Sequence, residues 1–178
     1  MFYRSKRLLL RPIWPEDWPA IKVGIANLAV LRNLASAPYP YNDQDAQEFT
    51  RRPLTPRYPR FLITLAADAS VLGTIGLDPG SCGDPELGYW LAQPFWGEGY
   101  ATEAGRGVLC AARSLGHDVL TAKHFVDNPA SGKVLRKLGF RPTGTTCEQF
   151  SLGRGEAAPA VEYKLRLKDC ESALSYAA

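Results

Sequence analysis

The chain has 178 residues, of which 46% are hydrophobic and 22% are charged, and its formal net charge is +3. This length and ordinary globular composition predict one domain over residues 1–178, with no room for a second. The small, dispersed charge argues against nucleic acid as a partner, and no apolar run forms a signal peptide or approaches the ~20 residues of a membrane span.

The cysteines and histidines argue against a disulfide framework and against a metal site. Cys82, Cys110, Cys147 and Cys170 are far apart, form no Cys-x-x-Cys pair and have no histidine at metal-ligand spacing. We therefore expect four reduced thiols, no bound metal and a cytoplasmic location.

The first fifty residues predict a strand followed by helices. Residues 7–13 form a short apolar run ended by a proline, which predicts the first strand. Asp17 is positioned to cap a helical stretch that Gly24 breaks into two short helices, and a third helix spans residues 42–52. The helical stretch is predicted from apolar residues at helical spacing, namely Trp18, Ile21, Ile25, Leu28 and Leu31.

The middle of the chain predicts an antiparallel meander. Residues 61–66 and 71–77 form a hairpin, and residues 86–91 return as the next strand after a short connection. The proline-rich residues 53–60 are a linker between elements.

The last third of the chain alternates helices with strands. A helix that Gly116 ends leads to a strand over residues 119–126, which should therefore pair in parallel with its neighbour. A further helix spans residues 128–138, and two closing strands follow, separated by the polar loop 151–158. The first of these helices is predicted from one apolar stripe, namely Ala101, Ala104, Val108, Ala111 and Leu115.

Gly97 and Gly99 lie between the strand ending at Leu91 and the following helix. Glycines there let the backbone bend tightly or approach a ligand, and the unpaired amides of a helix start favour a phosphate or diphosphate. Two glycines could also make nothing more than a tight connection. The segment is neither a P-loop, which needs Gly-Lys-Ser/Thr, nor a dinucleotide fingerprint, whose third glycine is Thr102 here.

Three segments together resemble the GNAT superfamily of N-acetyltransferases, and most of all its RimJ/RimL group. They are the opening Arg-Leu-Leu-Leu-Arg-Pro at residues 7–12, Tyr-Trp-Leu followed by Phe-Trp-Gly-Glu-Gly-Tyr-Ala-Thr-Glu-Ala within residues 89–104, and Asn-Pro-Ala-Ser-Gly-Lys-Val-Leu-Arg-Lys-Leu-Gly-Phe at residues 128–140. The superfamily pattern Gln/Arg-x-x-Gly-x-Gly/Ala falls on Trp96, Gly99 and Ala101. Trp96 departs from the Gln or Arg of that pattern.

The resemblance implies an α/β GNAT fold, with a mixed, mostly antiparallel twisted sheet, helices on both faces and a strand splay that holds acetyl-CoA. It implies transfer of acetyl to a primary amine, either a protein N-terminus or a small molecule, and a homodimer would be in keeping with it. The residues that it places at the cofactor are Leu91, Trp96, Gly97, Glu98, Gly99, Tyr100, Ala101, Thr102, Asn128, Ser131 and Lys133.

Glu86 and Ser131 are the candidate catalytic residues. Strand alternation places Glu86 on one face of an otherwise apolar strand, where it could accept a proton from the amine or merely face solvent. Ser131 lies where a hydroxyl could assist the leaving thiolate, since Leu135 occupies the position of the tyrosine acid of other GNAT enzymes. Ser131 and Asn128 could instead serve only as local hydrogen-bonding and capping residues.

Tyr39 and Tyr41 lie in a loop that Pro38 and Pro40 stiffen. They either line the acceptor site or cover the edge of the core. Lys133 either contacts a phosphate of the cofactor or belongs to a solvated helix face. A rival interpretation of the whole chain is an acyl-CoA binding or sensing module without catalysis.

Overall fold

The computed structural model describes residues 1–53, 55–80 and 83–168. The strands in this part are β1 (Tyr3–Arg4), β2 (Leu8–Pro12), β3 (Arg60–Leu65), β4 (Val71–Pro79), β5 (Pro85–Leu91), β6 (Val119–Phe125), β7 (Arg141–Ser151) and β8 (Glu156–Arg166). The helices are α1 (Trp18–Ile25), α2 (Leu28–Leu31), α3 (Asp43–Arg51), α4 (Tyr100–Ser114) and α5 (Pro129–Lys137). No helix in these ranges is long and apolar enough to cross a membrane.

All eight strands belong to one sheet, in the order β1-β2-β3-β4-β5-β6-β8-β7. Every neighbouring pair is antiparallel except β5 and β6, which are parallel because α4 carries the chain back across the sheet. The predicted meander over β3, β4 and β5 and the predicted parallel strand are confirmed.

The parallel pair β5 and β6 separates soon after it forms. Its register consists of a single residue pair, Glu86 with Thr121, whereas β4 and β5 pair along seven residues. Beyond Glu86, β5 therefore has a ladder partner on its β4 side only. This gap is the predicted strand splay.

Helices cover both faces of the sheet because side chains alternate along each strand. On β3, Phe61 and Ile63 pack in one apolar cluster and Leu62 packs in another. The first cluster holds the buried faces of α4 and α5, through residues such as Val108. The second holds those of α1, α2 and α3, through residues such as Ile21.

The helix ends differ in two places from the sequence prediction. Asp17 does not cap α1, because its carboxylate pairs with Arg11 at 2.7 Å and accepts the Trp14 N–H at 2.7 Å. Gly24 lies within α1, and the break comes later, at Asn27, whose side chain caps α2. Asn42 and Asn128 cap α3 and α5, because their side-chain oxygens accept the N–H groups of Asp45 and Ser131.

The closing hairpin also differs in extent. The sequence predicts a loop over residues 151–158, but β7 continues to Ser151 and β8 begins at Glu156. Polar side chains do not prevent pairing here, because the two strands hydrogen-bond through their backbones along this stretch. The connecting turn is therefore short.

Candidate active site

A cavity of about 790 Å³ opens at the splay and is lined from both faces of the sheet. This volume falls in the ~300–1,000 Å³ range of small-molecule sites. We call its two parts the α4–α5 end and the α1–α3 end. Ser131 and the segment with Gly97 and Gly99, which we call the glycine loop, lie at the first, and Tyr41 and Phe49 lie at the second. Glu86 and Trp90 of β5 line the cavity between them.

The glycine loop presents unpaired backbone donors to the cavity. Gly97 and Gly99 have φ values of +85° and +80°, which L-residues with a side chain rarely adopt. Gly99 is the N-cap of α4, and the first helical bond runs from the Glu103 N–H to its carbonyl. The N–H groups of the first three helical residues, 100–102, have no acceptor among the described residues, so they are available to an anion.

Arg7 holds this loop from the N-terminal side of the sheet. Its Nη1 donates to the Glu98 carbonyl at 3.1 Å, its Nε donates to Glu103 at 2.7 Å, and its guanidinium lies 4.4 Å from the centre of the Tyr100 ring. Burial raises the pKa of Glu103, but hydrogen bonds from Ser5 and Arg7 outweigh this effect and hold that pKa below its ordinary value. The loop is therefore fixed by a charged cluster outside the cavity.

The end of β5 turns backbone groups toward the splay. The Ala92 N–H donates to Leu72 at 2.8 Å, so Leu91 and Gly73 form a non-hydrogen-bonded antiparallel pair. The N–H and C=O of Leu91 therefore point away from β4, toward the gap. The carbonyl accepts the Trp96 indole N–H at 2.7 Å, which leaves the N–H for a ligand.

The start of α5 lines the opposite side of the gap. The Asn128 side-chain oxygen accepts the Ser131 N–H at 3.2 Å, and its amide nitrogen has no acceptor among the residues that the structure describes. Lys133 and Lys137, one turn apart, both line the cavity. Arg136 lies on the same helix but donates to the Tyr163 hydroxyl at 2.9 Å.

Glu86 is half-buried, with 32% of its side chain exposed, beside a basic residue that the sequence did not reveal. The Lys123 ammonium lies 3.4 Å from Glu86 Oε2 and 4.0 Å from Glu162 Oε1. Asp78 is directly opposite Glu86 in the β4–β5 register and also lines the cavity. Because Lys123 already pairs with Glu86, an amine that approaches Glu86 as a cation would compete with this ammonium.

The turn between β7 and β8 closes the α1–α3 end of the cavity. Ser151 Oγ donates to the Leu34 carbonyl at 2.6 Å, and Arg154 Nε donates to the Arg32 carbonyl at 2.6 Å. Arg154 also forms a bidentate pair with Asp127, at 2.7 and 2.9 Å, and these bonds hold the pKa of Asp127 below its ordinary value. Leu152 of this turn lines the cavity.

A family described as the acetyltransferase (GNAT) domain matches residues 7–141, which include the glycine loop, the splay and α5. The chain belongs to the GNAT acetyltransferase family. This membership confirms the predicted fold and the prediction of an acetyl-CoA-dependent acetyltransferase.

Solved structures share this GNAT fold. A GNAT-family acetyltransferase from Bacillus anthracis superposes with a TM-score of 0.81 at 20% identity, over 94% of this chain and 99% of that chain. The microcin C7 self-immunity acetyltransferase MccE, in complex with acetyl-CoA and AMP, gives 0.76 at 17% identity, over 91% and 93%. RimL, the ribosomal L7/L12 alpha-N-protein acetyltransferase, in complex with coenzyme A, gives 0.73 at 21% identity, over 93% and 98%.

Most of the predicted site residues line the one GNAT cavity described above. Glu98 and Tyr39 do not: the Glu98 carbonyl faces Arg7, and Tyr39 is 54% exposed at the surface. Tyr41 is buried, and burial raises its pKa to about 12. The residues that do line the cavity are Glu86, Leu91, Trp96, Gly97, Gly99, Tyr100, Ala101, Thr102, Asn128, Ser131, Lys133 and Tyr41.

Arg7, Lys123 and Tyr89 received no role from the sequence, although each contacts a predicted site residue. Tyr89 lies on the α4–α5 face of β5, and its hydroxyl is 2.8 Å from Ser131 Oγ. A signal existed for Tyr89, since strand alternation points it away from Glu86 and a buried tyrosine needs a hydrogen-bond partner. Arg7 and Lys123 are brought to the site by tertiary contacts alone.

The described residues include two of the four cysteines and no group of side chains that could hold a metal ion. Cys110 and Cys147 are free thiols, and Cys82 and Cys170 lie outside the described residues. Within the described ranges, no three His, Cys, Asp or Glu side chains come close enough together to hold a metal ion.

We expect Arg7→Met to weaken coenzyme A binding about tenfold. The variant removes the charge-assisted hydrogen bond from Arg7 to the Glu98 carbonyl, and the free energy of one such bond corresponds to about a factor of ten in affinity. Isothermal titration of coenzyme A into wild type and variant measures the effect. Arg4→Met is the matched control, since Arg4 is an exposed arginine on β1 with no ion pair among the described residues. Equal affinities of wild type and Arg7→Met would contradict a role for Arg7 in the loop.

Proposed function

We propose that this GNAT acetyltransferase transfers acetyl from acetyl-CoA directly to a primary amine. The observation that carries the proposal is a single cavity that joins the glycine loop and Ser131 at the α4–α5 end to Glu86 and the α1–α3 end. A donor bound along the splay and an amine entering from the other end would meet beside β5. No covalent attachment to the chain is required.

Several groups of the chain fit the parts of acetyl-CoA. The unpaired N–H groups of residues 100–102 suit the diphosphate, and the Lys133 and Lys137 ammonium groups suit the remaining phosphate. The Leu91 N–H and the Asn128 amide suit the polar groups of the pantetheine arm, which would lie along β5 as an added strand. When bound, the thioester supplies the acyl group.

The roles of the side chains follow from the bonds that change. As the amine nitrogen bonds to the acyl carbon, Glu86 accepts the proton that the nitrogen releases, directly or through a water. As the carbon–sulfur bond breaks, the Ser131 hydroxyl donates a hydrogen bond to the departing thiolate, which then takes up a proton from solvent. A backbone N–H at the splay, for which Leu91 is positioned, polarises the acyl oxygen.

We propose an α-amine at a protein N-terminus or on a small molecule as the acceptor, as in the RimJ/RimL group. An α-amino group with a pKa near ~8 is neutral far more often at pH 7 than a lysine near ~10.4, so it needs less help from Glu86. RimL, named above as an alpha-N-protein acetyltransferase, is in keeping with a protein N-terminus as the acceptor. The α1–α3 end of the cavity carries both signs of charge, with the carboxylates of Asp45, Glu48 and Asp78 and the guanidinium groups of Arg52 and Arg60.

A cytoplasmic location and a homodimer also remain proposals. Free Cys110 and Cys147 are in keeping with a reducing compartment. Sedimentation of the purified chain would report the oligomeric state.

Release of free thiol from acetyl-CoA, measured against a panel of peptides, amino acids and polyamines, tests the proposed function. We expect amine-dependent release that is greater for a peptide with a free N-terminus than for the same peptide with a blocked N-terminus and an internal lysine. Mass spectrometry of the product locates the acetyl group. Absence of amine-dependent release across the panel, with acetyl-CoA bound, would support the sensing module instead.

A further inference from the structure

Tyr89 forms a contact across the splay that the proposed chemistry has not used. It lies on β5, faces α4 and α5, and lines the cavity. Its hydroxyl oxygen is 2.8 Å from Ser131 Oγ on α5, a distance that either hydroxyl can bridge as donor. The contact joins β5 to α5 across the gap, where β5 beyond Glu86 pairs only with β4.

Tyr89 can donate this hydrogen bond only while its phenol keeps its proton. Burial raises the pKa of Tyr89 to about 12, although the bond to Ser131 lowers it in part. An ordinary thiol has a pKa near ~8.5, so transfer of the phenol's proton to a thiolate would be strongly uphill. Tyr89 is therefore not the acid, but it keeps a proton to donate throughout the neutral range.

Ser131 has a free hydrogen once Tyr89 donates to it. A serine hydroxyl has one hydrogen and two acceptor lone pairs. Its own N–H is already capped by Asn128, and Tyr89 supplies the one side-chain partner of Ser131 Oγ among the described residues. With one lone pair occupied by the phenol, the serine hydrogen can point into the cavity.

We propose that Tyr89 is a positioning residue that orients the Ser131 hydroxyl as a hydrogen-bond donor to the sulfur of coenzyme A. This inference rests on the proposed function, because it assumes that the thiol end of coenzyme A reaches Ser131. In this role the phenol makes no contact of its own with the sulfur. Its effect on the leaving thiolate passes entirely through the serine.

The binding of coenzyme A relative to S-methyl-coenzyme A, from about pH 6 to about pH 9, measures this effect without an acceptor amine. Only the free thiol can ionise, and a donor to its sulfur stabilises the thiolate, so the preference for coenzyme A should rise with pH. We expect Ser131→Ala to reduce that preference about tenfold at the upper end, as for a hydrogen bond to a charged group. Tyr89→Phe should reduce it in the same direction.

The double variant Tyr89→Phe with Ser131→Ala tests whether Tyr89 acts through Ser131 or makes an independent contact with the sulfur. If Tyr89 acts through Ser131, Tyr89→Phe has no further effect in the Ser131→Ala background. Additive effects, or an unchanged preference in Tyr89→Phe, would overturn the inference. Equal affinity of all variants for S-methyl-coenzyme A shows that the cavity is intact.

Tyr163→Phe is the matched control. Tyr163 is a buried tyrosine that does not line the cavity, and its hydroxyl lies 2.9 Å from Arg136 Nη1 and 3.3 Å from His124 Nε2, with no contact to Ser131, so its loss should leave the preference as in wild type. A wild-type chain that binds neither coenzyme A nor its methyl form would contradict the proposed function itself. Binding without any change among the variants would contradict the roles of both Tyr89 and Ser131 and would leave the binding of coenzyme A standing.

Discussion

Gly99→Val is expected to weaken coenzyme A binding at least ~100-fold. Gly99 has a φ of +80°, and an L-residue in this region costs ~1–2 kcal/mol, more when it is β-branched. An added Cβ would meet only Arg7 Nη2, at 3.7 Å, so backbone strain and not crowding is the cause. To relieve the strain the loop must rotate, and the N–H groups of residues 100–102 then no longer converge on one anion.

The magnitude follows from the bonds at stake. Each hydrogen bond to a charged group contributes ~1.5–3 kcal/mol, and a factor of ten corresponds to 1.4 kcal/mol, so loss of two such bonds gives about two orders of magnitude. Isothermal titration with coenzyme A measures the change. Thermal unfolding of the same samples shows whether the variant is folded.

Gly116→Val is the control for backbone strain at the opposite end of the same helix. Gly116 has a φ of +76°, and an added Cβ there would meet no heavy atom within 4 Å. The two variants therefore carry similar strain, but only one alters the cavity. A loss of affinity of the same size in Gly116→Val, or no loss in Gly99→Val, would contradict the assignment of the loop as the diphosphate site.

Glu86→Gln is expected to lower kcat roughly 10²- to 10³-fold, with coenzyme A affinity unchanged. Glutamine keeps the size of glutamate and one of its two acceptor oxygens but does not act as a base at neutral pH, and general base catalysis typically contributes 10²–10⁴-fold. Coenzyme A affinity should hold because Glu86 lies on the sheet face away from the glycine loop. Thiol release with the best amine of the panel measures kcat, and titration measures affinity.

Glu162→Gln separates proton acceptance from loss of an ion pair. Glu162 lies 4.0 Å from the same Lys123 ammonium, is 33% exposed against 32% for Glu86, and does not line the cavity. Both variants remove one acidic neighbour of Lys123, but only Glu86→Gln removes the proposed base. Comparable kcat values for Glu86→Gln and wild type would rule out Glu86 as that base.

The sequence predicts the elements well where local rules determine them. The spacing of apolar residues and the capping residues predict α3, α4 and α5. The alternation of side chains along β5 predicts which face of the strand holds Glu86 and which holds Leu91. Asp17 is an exception to these local rules, because its carboxylate forms an ion pair with Arg11 and does not cap α1. The choice between those partners depends on how the first strand lies beside the helix, which a local pattern does not contain.

The candidate site divides in the same way. The glycine loop and the start of α5 carry motifs, so their residues could be named from the chain alone. Lys123 and Arg7 reach the site from strands far away in sequence, and neither has a local signature. The loop with Tyr39 and Tyr41 shows the same limit, since both tyrosines have similar neighbours in sequence but only one is buried.

The bonds from Ser151 and Arg154 to the carbonyls of residues 32 and 34 have a consequence for biosynthesis. They join segments separated by 117 positions in one case and 122 in the other, so they can form only after residues 151–154 have left the ribosome. A nascent chain that has emerged only through α5 already holds the glycine loop and the splay strands. Its cavity still lacks one wall at the α1–α3 end, which the turn between β7 and β8 completes.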